Sequence, residues 1–143
     1  MSLLTALSVS ASGMSAQRER TELLVENLAN SETTRTPEGG PYRRKDVVFS
    51  SQPQTSPFSA VFQNEVGTGV AVSDVITDQR DPVQRYMPGH PDADANGYVA
   101  FPNMNPSEDM VDLLNSQRSY SANVAAISSV KDMISRSIDI MRS

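Results

Sequence analysis

Two long segments with helical character occupy the ends of this chain, and Pro and Gly interrupt the region between them. Residues 31–104 contain eight of the nine prolines and six of the seven glycines, and both residue types end regular helices and strands. Each terminal segment carries an apolar stripe that needs a partner. This layout predicts a subunit of an assembly that is joined to its neighbours through its termini.

The C-terminal segment begins with a helix-start signal. Asn105 can cap a helix, Pro106 suits the first helical position, and Glu108 stands where a capping box has its acid. No Pro or Gly follows before Ser143. We therefore predict one helix over residues 106–143, about 55 Å long at a rise of 1.5 Å per residue.

A heptad repeat runs along this predicted helix for more than four heptads, which is the pattern of a coiled coil. The a and d positions are Met110, Leu113, Gln117, Tyr120, Val124, Ile127, Lys131, Ile134, Ile138 and Met141. We expect the stripe to form a coiled coil between subunits or between the two termini. The alternative is a long amphipathic helix packed within its own monomer.

The N-terminal segment, residues 2–30, has a weaker form of the same pattern, interrupted by Arg18 and Thr21. Gly13 inside the helix costs about 1 kcal/mol relative to Ala. The small residues around Gly13 permit close approach of another helix but leave the isolated helix marginal, which favours a segment that orders on binding. The stripe consists of Leu4, Leu7, Ala11, Met14, Val25 and Leu28.

Between the helices the sequence predicts short strands separated by turns. Residues 52–57 contain two prolines and are predicted to form a loop or connector. Asn96 and Gly97 precede an apolar run and are typical of a hairpin turn. β-Branched and aromatic residues are enriched in four strand-like pieces, at residues 42–49, 60–66, 69–77 and 98–101.

The predicted fold class is α+β, with long N- and C-terminal helices and a β-rich insert. Residues 1–30 together with 105–143 are expected to form a discontinuous, coiled-coil-like helical assembly domain. Residues 31–104 are expected to form a small, irregular β-rich insert, because fewer than about 80 residues give only a marginal core of their own.

Charge and hydropathy exclude several classes of partner. The net charge of −5 argues against nucleic acid, and the basic cluster Arg43, Arg44 and Lys45 is too short to bind a polyanion, so we expect a solvated strand edge. No apolar run is long enough to span a membrane as a helix. The first basic residue is Arg18, so the N-terminus lacks the basic region of a secretory signal and any export is expected to proceed without a cleaved signal.

Candidate chemical sites are few, and no catalytic, cofactor or metal site is predicted. Asp92, Asp94 and Asn96 match the first half of a calcium-binding loop, but the position of its bidentate Glu is Asn103, so a polar turn is favoured. His90 is the sole histidine, too few to build a typical zinc site. There are no cysteines, and no nucleophile elbow, phosphate loop or zinc-protease motif is present.

Five motifs are spread over essentially the whole chain. They include Ser-Ala-Ser-Gly-Met-Ser-Ala-Gln-Arg at residues 10–18, Asn-Leu-Ala-Asn at 27–30 and Gly-Gly-Pro-Tyr-Arg-Arg-Lys at 39–45. The others are Pro-Gly-His-Pro-Asp-Ala-Asp-Ala at 88–95 and Asp-Met-Val-Asp-Leu-Leu at 109–114. Together they resemble the FlgC family of flagellar basal-body rod proteins. The Asn-Leu-Ala-Asn motif alone is typical of the wider rod and hook axial proteins.

The resemblance implies a structural subunit of the proximal rod, which crosses the periplasm and encloses the export channel. It implies export by the flagellar type III apparatus and terminal helices that pack with neighbouring subunits. The implied partners are copies of the chain, other rod subunits and the adaptor between rod and MS ring. Combining the motifs with the apolar stripes, we expect an assembly interface at Leu4, Leu7, Met14, Val25, Asn27, Leu28, Ala29, Asn30, Met110, Leu113, Arg118, Tyr120, Asn123, Val124, Ile127, Ile134 and Ile138.

Two other classes of protein remain as alternatives. One is a free-standing binding module in which the two helices form an intramolecular stalk. The other is a small periplasmic hydrolase, which would need an activity that depends on His90 or on a carboxylate.

Overall fold

The computed structural model describes residues 3–53 and 68–142 of the chain. Within these two ranges the chain forms a helix at each end and four strands between them, and the α+β class predicted above is confirmed. The elements are α1 (Leu3–Ala29), β1 (Lys45–Pro53), β2 (Thr68–Thr77), β3 (Val83–Tyr86), β4 (Tyr98–Phe101) and α2 (Pro106–Arg142).

The start of α2 is the one predicted from its capping signal. The Asn105 side-chain oxygen accepts a hydrogen bond from the Ser107 amide at 3.1 Å, and its carbonyl accepts one from the Glu108 amide at 3.0 Å. These bonds satisfy amides that a helix N-terminus otherwise leaves without partners. The helix then continues unbroken to Arg142.

The four strands form two separate antiparallel hairpins. β1 pairs with β2 along their full lengths, with a bulge between Val48 and Phe49, and β3 pairs with β4. Strand β3 was not predicted, because all four of its side chains are exposed and it has no alternation of apolar and polar residues. The strand predicted at residues 60–66 lies outside the described residues.

Two sequence-based boundaries in this region were wrong. β1 begins at Lys45 rather than at Tyr42, whose amide bonds the Thr33 carbonyl at 3.0 Å instead of a strand partner. It also runs into the predicted connector, where Gln52 pairs with Gly69 and Pro53 with Thr68. A proline is tolerated there because it is the last residue of the strand.

The predicted tight turn at Asn96 and Gly97 is part of a longer connection. Strands β3 and β4 are joined by residues 87–97, and the Met87 amide bonds the Gly97 carbonyl at 2.8 Å. The Asp94 side chain accepts hydrogen bonds from the amides of Asn96 and Tyr98, both at 2.8 Å. The acidic sequence therefore forms a polar turn, as favoured above.

The two helices lie side by side and antiparallel. Thr21 of α1 bonds Ser116 of α2 at 2.8 Å, while Gly13, eight residues earlier in α1, lies against Asn123, seven residues later in α2. Helix α2 has 37 residues and α1 has 27. The C-terminal end of α1 and the N-terminal end of α2 lie at about the same level, next to the insert. Helix α2 therefore extends beyond α1 by about 15 Å at its own C-terminal end.

The buried core is small and includes polar groups. Its apolar members are Ala16, Leu24, Tyr42, Val99, Phe101 and Val130, and its polar members are Asn27, Asp109 and Ser116. A core of this size contributes little hydrophobic stabilisation, so the polar contacts described below matter for holding the elements together. No helix within the described residues is long and apolar enough to cross a membrane.

Candidate assembly interface

The face of α2 that is buried against the rest of the chain is offset from the predicted apolar stripe. Buried or half-buried positions recur every seven residues at Asp109, Ser116, Asn123 and Val130. Each precedes a predicted a position by one residue. Ser116 and Asn123 both lie against α1, and three d positions, Leu113, Ile127 and Ile134, are half-buried. The buried side of α2 thus combines these d positions with the mostly polar row.

The predicted interface residues of α2 therefore fall into two groups. Leu113, Ile127 and Ile134 are half-buried, and Asn123 lies between the helices; Arg118 is exposed. The apolar side chains that stay in contact with solvent are Met110 (45% exposed), Tyr120 (41%), Val124 (45%) and Ile138 (46%). Folding of the single chain thus leaves part of the apolar stripe uncovered.

Further exposed apolar residues of α2 were not among the predicted interface residues. Val111 and Leu114 are close to Met110 in the first turns. Met133, Ile140 and Met141 lie in the part of α2 that extends beyond α1. The sequence signal for Leu114 is its spacing of four residues from Met110, which places the two on the same side of a helix.

The predicted interface residues of α1 are also divided. Leu4 and Val25 are exposed, Leu7, Met14 and Leu28 are half-buried, and Ala29 is exposed. Exposed apolar side chains thus lie on both helices. An open groove between the helices is lined by Arg18, Thr21, Glu22, Gln117, Tyr120 and Ser121.

The contact between α1 and α2 is polar at its centre. Ser116 is 1% exposed, and its hydroxyl lies 2.8 Å from the Thr21 hydroxyl and 3.0 Å from the Gln17 carbonyl oxygen. A Cβ atom at Gly13 would lie 3.1 Å from the side-chain nitrogen of Asn123. The expected close approach of another helix at Gly13 is therefore observed, and that helix is the chain's own α2.

Asn27 of the Asn-Leu-Ala-Asn motif joins α1 to the insert. It is fully buried, and its amide nitrogen donates to the Lys45 carbonyl at 2.8 Å. Its side-chain oxygen accepts from the Lys45 amide at 2.9 Å and from the Tyr42 hydroxyl at 3.0 Å. The position expected to serve assembly thus acts within the subunit, by fixing β1 against α1.

Asn30, the last residue of the motif, organises the chain after α1. Its side-chain nitrogen donates to the Glu26 carbonyl at 2.9 Å, and its side-chain oxygen accepts from the Thr33 hydroxyl at 3.1 Å. These local bonds satisfy a carbonyl in the last turn of the helix. They direct the chain toward Tyr42, whose amide bonds the Thr33 carbonyl.

The expectation of a solvated strand edge for the basic cluster was wrong for two of its three members. Arg44 donates to the Asp109 carboxylate at 2.9 Å, and Asp109 is 1% exposed. Lys45 pairs with Glu26 at 2.7 Å. A buried carboxylate requires a cation beside it, so Arg44 links the insert to the first turn of α2, while Arg43 is the member that stays exposed.

Tyr42 is buried at this junction between α1 and the insert. Burial, followed by the nearby carboxylates of Glu26 and Asp109, raises the pKa of the Tyr42 phenol well above its ordinary value. The hydroxyl therefore remains a hydrogen-bond donor to Asn27 over the whole physiological range.

The remaining candidate chemical residues have structural roles. The His90 Nδ1 accepts a hydrogen bond from the Asp92 amide at 3.1 Å, and its ring lies edge-on to Phe101. Asp92 accepts from the Thr34 hydroxyl at 2.8 Å, which ties the turn to the segment after α1. Within residues 3–53 and 68–142, no group of acidic and histidine side chains is arranged to hold a metal ion.

Comparison with known proteins gives concordant results. A sequence profile described as "Flagellar basal body rod FlgEFG protein C-terminal" matches residues 95–140. The "Flagellar basal-body rod protein FlgC" of Bacillus subtilis is 41% identical, with 98% of this chain and 99% of the relative covered. The proteins of the same name from Borreliella burgdorferi and Escherichia coli are 36% and 38% identical, with at least 98% of both chains covered.

This chain belongs to the FlgC family. The resemblance noted in the sequence is thereby confirmed over nearly the whole length. Members of the FlgC family are named as rod proteins of the flagellar basal body, which are structural components and not enzymes. The hydrolase alternative is therefore set aside.

Proposed function

We propose that this chain is a structural subunit of the bacterial flagellar basal-body rod, and that it assembles through the exposed side of its helical pair. The observation that carries the proposal is the row of uncovered apolar side chains on α2, at Met110, Val124 and Ile138. Covering such side chains stabilises a contact by about 25 cal/mol per Å² of apolar area. Family membership supplies the identity of the assembly.

The helical assembly domain is proposed to comprise residues 1–30 together with 105–143, with residues 31–104 as an insert. Contacts between α1 and α2 support treating the two ends of the chain as one unit. The insert is fixed to that unit by Asn27 and Arg44. Force applied to the insert would thus be transferred directly to both helices.

Between subunits, we expect the exposed a positions of α2 to pack as in a coiled coil. Gln117 and Lys131 interrupt that row and are exposed, so they are placed to fix the register between neighbours, as polar a-position residues do in coiled coils. Repeated head-to-tail contacts whose rotation does not close produce a helical tube. A tube of this kind can transmit torque and enclose an export channel.

The proposed partners follow from the same assembly. They are copies of this chain, other rod subunits, the adaptor that joins the rod to the MS ring and, during secretion, the type III export apparatus. The proposed location is the rod where it crosses the periplasm, reached without cleavage of a signal peptide. The names of the relatives support the basal-body rod as the location.

The proposal is tested by placing a charge on the exposed row. Val124→Asp should abolish swimming in a strain that depends on this chain, because the carboxylate would be buried between subunits. The free energy of unfolding of the purified monomer should change by less than about 0.5 kcal/mol, since Val124 is a surface residue there. Motility is scored in soft agar and stability by urea denaturation.

Ser129→Asp is the matched control, because Ser129 is exposed on α2 away from the apolar row and should leave swimming intact. The same charge at Ile134, which is half-buried, is expected to abolish motility as well. Normal swimming by the Val124→Asp strain would contradict assembly through this surface. It would favour the free-standing module, whose intramolecular two-helix stalk is compatible with the contacts at Ser116.

A further inference from the structure

The tail of α2, residues 134–142, extends past the described start of α1. Gly13 lies against Asn123, and ten residues further along each helix, in opposite directions, stand Leu3 and Met133. Because both helices rise equally per residue, α1 begins at Leu3 at about the level of Met133. Within the described part of the chain, no other helix or strand packs beside the tail.

The side of α2 that packs against α1 continues into this tail. Along α2 the row of Ser116, Asn123 and Val130 recurs every seven residues, and its next member is Ser137, which is exposed. Apolar residues three and four positions away on both sides of Ser137 share its face of the helix. They are Met133 (47% exposed), Ile134 (half-buried), Ile140 (76% exposed) and Met141 (77% exposed). A face that is buried along the rest of the helix is thus open at its end.

The sequence around Ser137 has the same apolar residues in both directions. Residues 132–142 are Asp-Met-Ile-Ser-Arg-Ser-Ile-Asp-Ile-Met-Arg. Reversal about Ser137 exchanges Met133 with Met141 and Ile134 with Ile140. Two such helices paired antiparallel therefore place apolar side chains at the same levels, and the small Ser137 at the crossing permits a close approach.

We propose that the tail of α2 docks on the tail of a second copy of this chain, antiparallel and about a twofold axis at Ser137. The second tail takes the place beside α2 that α1 leaves open beyond Leu3. Its C-terminal end then meets the N-terminal end of α1, and these opposite ends of two helix dipoles attract. The inference goes beyond the proposed function and does not rest on it, because the contact belongs to the free chain.

The antiparallel direction is the one that the fold accommodates. In a parallel pair, α2 of the second copy would continue along the side of α2 that α1 occupies at Thr21 and Gly13, and the two helices would collide. In the antiparallel pair the second copy runs away from α1, and only its last residues reach the level of Met133. Parallel pairing would also bring two negative helix ends side by side.

The twofold symmetry of this contact sets what it can do. A contact that uses the same surface on both copies closes on itself, so it does not propagate into a filament. Two tails of this length bury less than the roughly 1,200 Å² of a stable interface, which makes the dimer transient. Such a dimer covers the apolar tail of a chain awaiting incorporation and then releases it.

Single cysteines in the full-length chain, which has none of its own, test the position of the axis. Ser137→Cys places two thiols face to face, within the Cβ separation of about 4 Å that a disulfide needs. Ser135→Cys is the matched control, because Ser135 is exposed and lies on the opposite face of the same tail. In a glutathione buffer the disulfide dimer should form about ten-fold or more faster from Ser137→Cys. Equal rates would overturn the proposal.

A mixture of two variants tests the direction of pairing. Met133→Cys and Met141→Cys chains, one with an affinity tag, should form the mixed disulfide about five-fold or more faster than either forms its own, because antiparallel tails set these positions opposite each other. Faster coupling of Met133→Cys to itself would overturn the antiparallel pair.

A charge on the tail tests its apolar contact. Met141→Glu, added to the Ser137→Cys chain, should slow cross-linking by about five-fold, because the carboxylate would be buried between the tails. Ser135→Glu in the same chain should leave the rate unchanged, and equal slowing by both would overturn the contact. All these rates are measured on the purified chain, so their failure is distinct from failure of the swimming test at Val124.

Discussion

The buried side-chain amide of Asn27 joins elements that share a small apolar core within the described residues. Its side chain uses three hydrogen bonds to hold a strand and a tyrosine against α1. Groups bonded in this way within a low-dielectric interior are costly to leave unpaired. The resemblance singled out Asn27, but its role depends on Lys45, 18 residues away, and no local pattern predicts such a contact.

Removal of this amide should destabilise the folded chain strongly. Asn27→Ala leaves the Lys45 backbone and the Tyr42 hydroxyl without their partner, so the free energy of unfolding should fall by about 2–4 kcal/mol. Urea denaturation followed by circular dichroism measures the change. Asn30→Ala is the matched control, and because its bonds are local to the end of α1 it should cost about 1 kcal/mol or less.

Stability should also decline at alkaline pH because of Tyr42. Its pKa is raised in the folded chain, so above about pH 10 the unfolded chain loses the phenolic proton while the folded chain keeps it. The contribution of Tyr42 to the free energy of unfolding should therefore be constant below about pH 10. Above that pH the free energy of unfolding should fall by up to about 1.4 kcal/mol per pH unit. Urea denaturation between pH 8 and 11 is the measurement.

Tyr42→Phe should remove this pH dependence, although it also lowers stability by deleting the bond to Asn27. Tyr86→Phe is the control, because Tyr86 is exposed, and it should leave the alkaline decline in place. A decline of the same slope in the Tyr42→Phe variant would contradict the assignment.

The elements differ in how far their sequences determine them. Helix α2 begins where its cap predicts because Asn105, Pro106 and Glu108 act on neighbouring residues. The face it buries could not be deduced, since heptad spacing does not distinguish a contact within the chain from one between chains. The offset to Asp109 and Ser116 arises because Arg44 and Thr21 supply partners for them.

The β3–β4 hairpin depends on a glycine at its closing turn. Gly97 has φ +82°, and a Cβ there would lie 2.9 Å from the Tyr86 ring and 3.1 Å from Pro88. Gly97→Ala should therefore lower the free energy of unfolding by about 2 kcal/mol, combining the left-handed backbone with the collision. Gly89→Ala, in the same loop but with open space around it, should change stability by less than about 0.5 kcal/mol. Equal losses in urea denaturation would contradict this explanation.

At the scale of the whole molecule, stability is concentrated at one end. Asn27, Arg44 and Asp109 gather where α1 ends, β1 begins and α2 begins. At the other end α2 extends beyond α1, and Ile140 and Met141 are each more than 75% exposed. The sequence predicted two helical arms of unequal length and an insert. It did not predict which part of α2 is left without α1 beside it, because that depends on the antiparallel register of the two helices.

Hydrogen exchange should reveal that asymmetry in the purified monomer. Amides in residues 106–125 of α2 should exchange about ten-fold or more slowly than those in residues 133–142, because opening the first group breaks contacts with α1 and the insert. Mass spectrometry of peptides from the labelled chain gives both values at once. Uniformly rapid exchange in α1 and α2 would instead mean that the helices order together only on assembly, as their weak intrinsic stability favours.

The carboxylates of Asp46 and Asp74 have a consequence for how the chain avoids aggregation. They accept hydrogen bonds from the backbone amides of Val47 and Val75, at 2.9 and 2.8 Å. Unpaired strand edges are templates on which chains stack into fibrils. Each aspartate occupies an amide on which such stacking would begin, so the middle of the long hairpin is a poor template for cross-β growth.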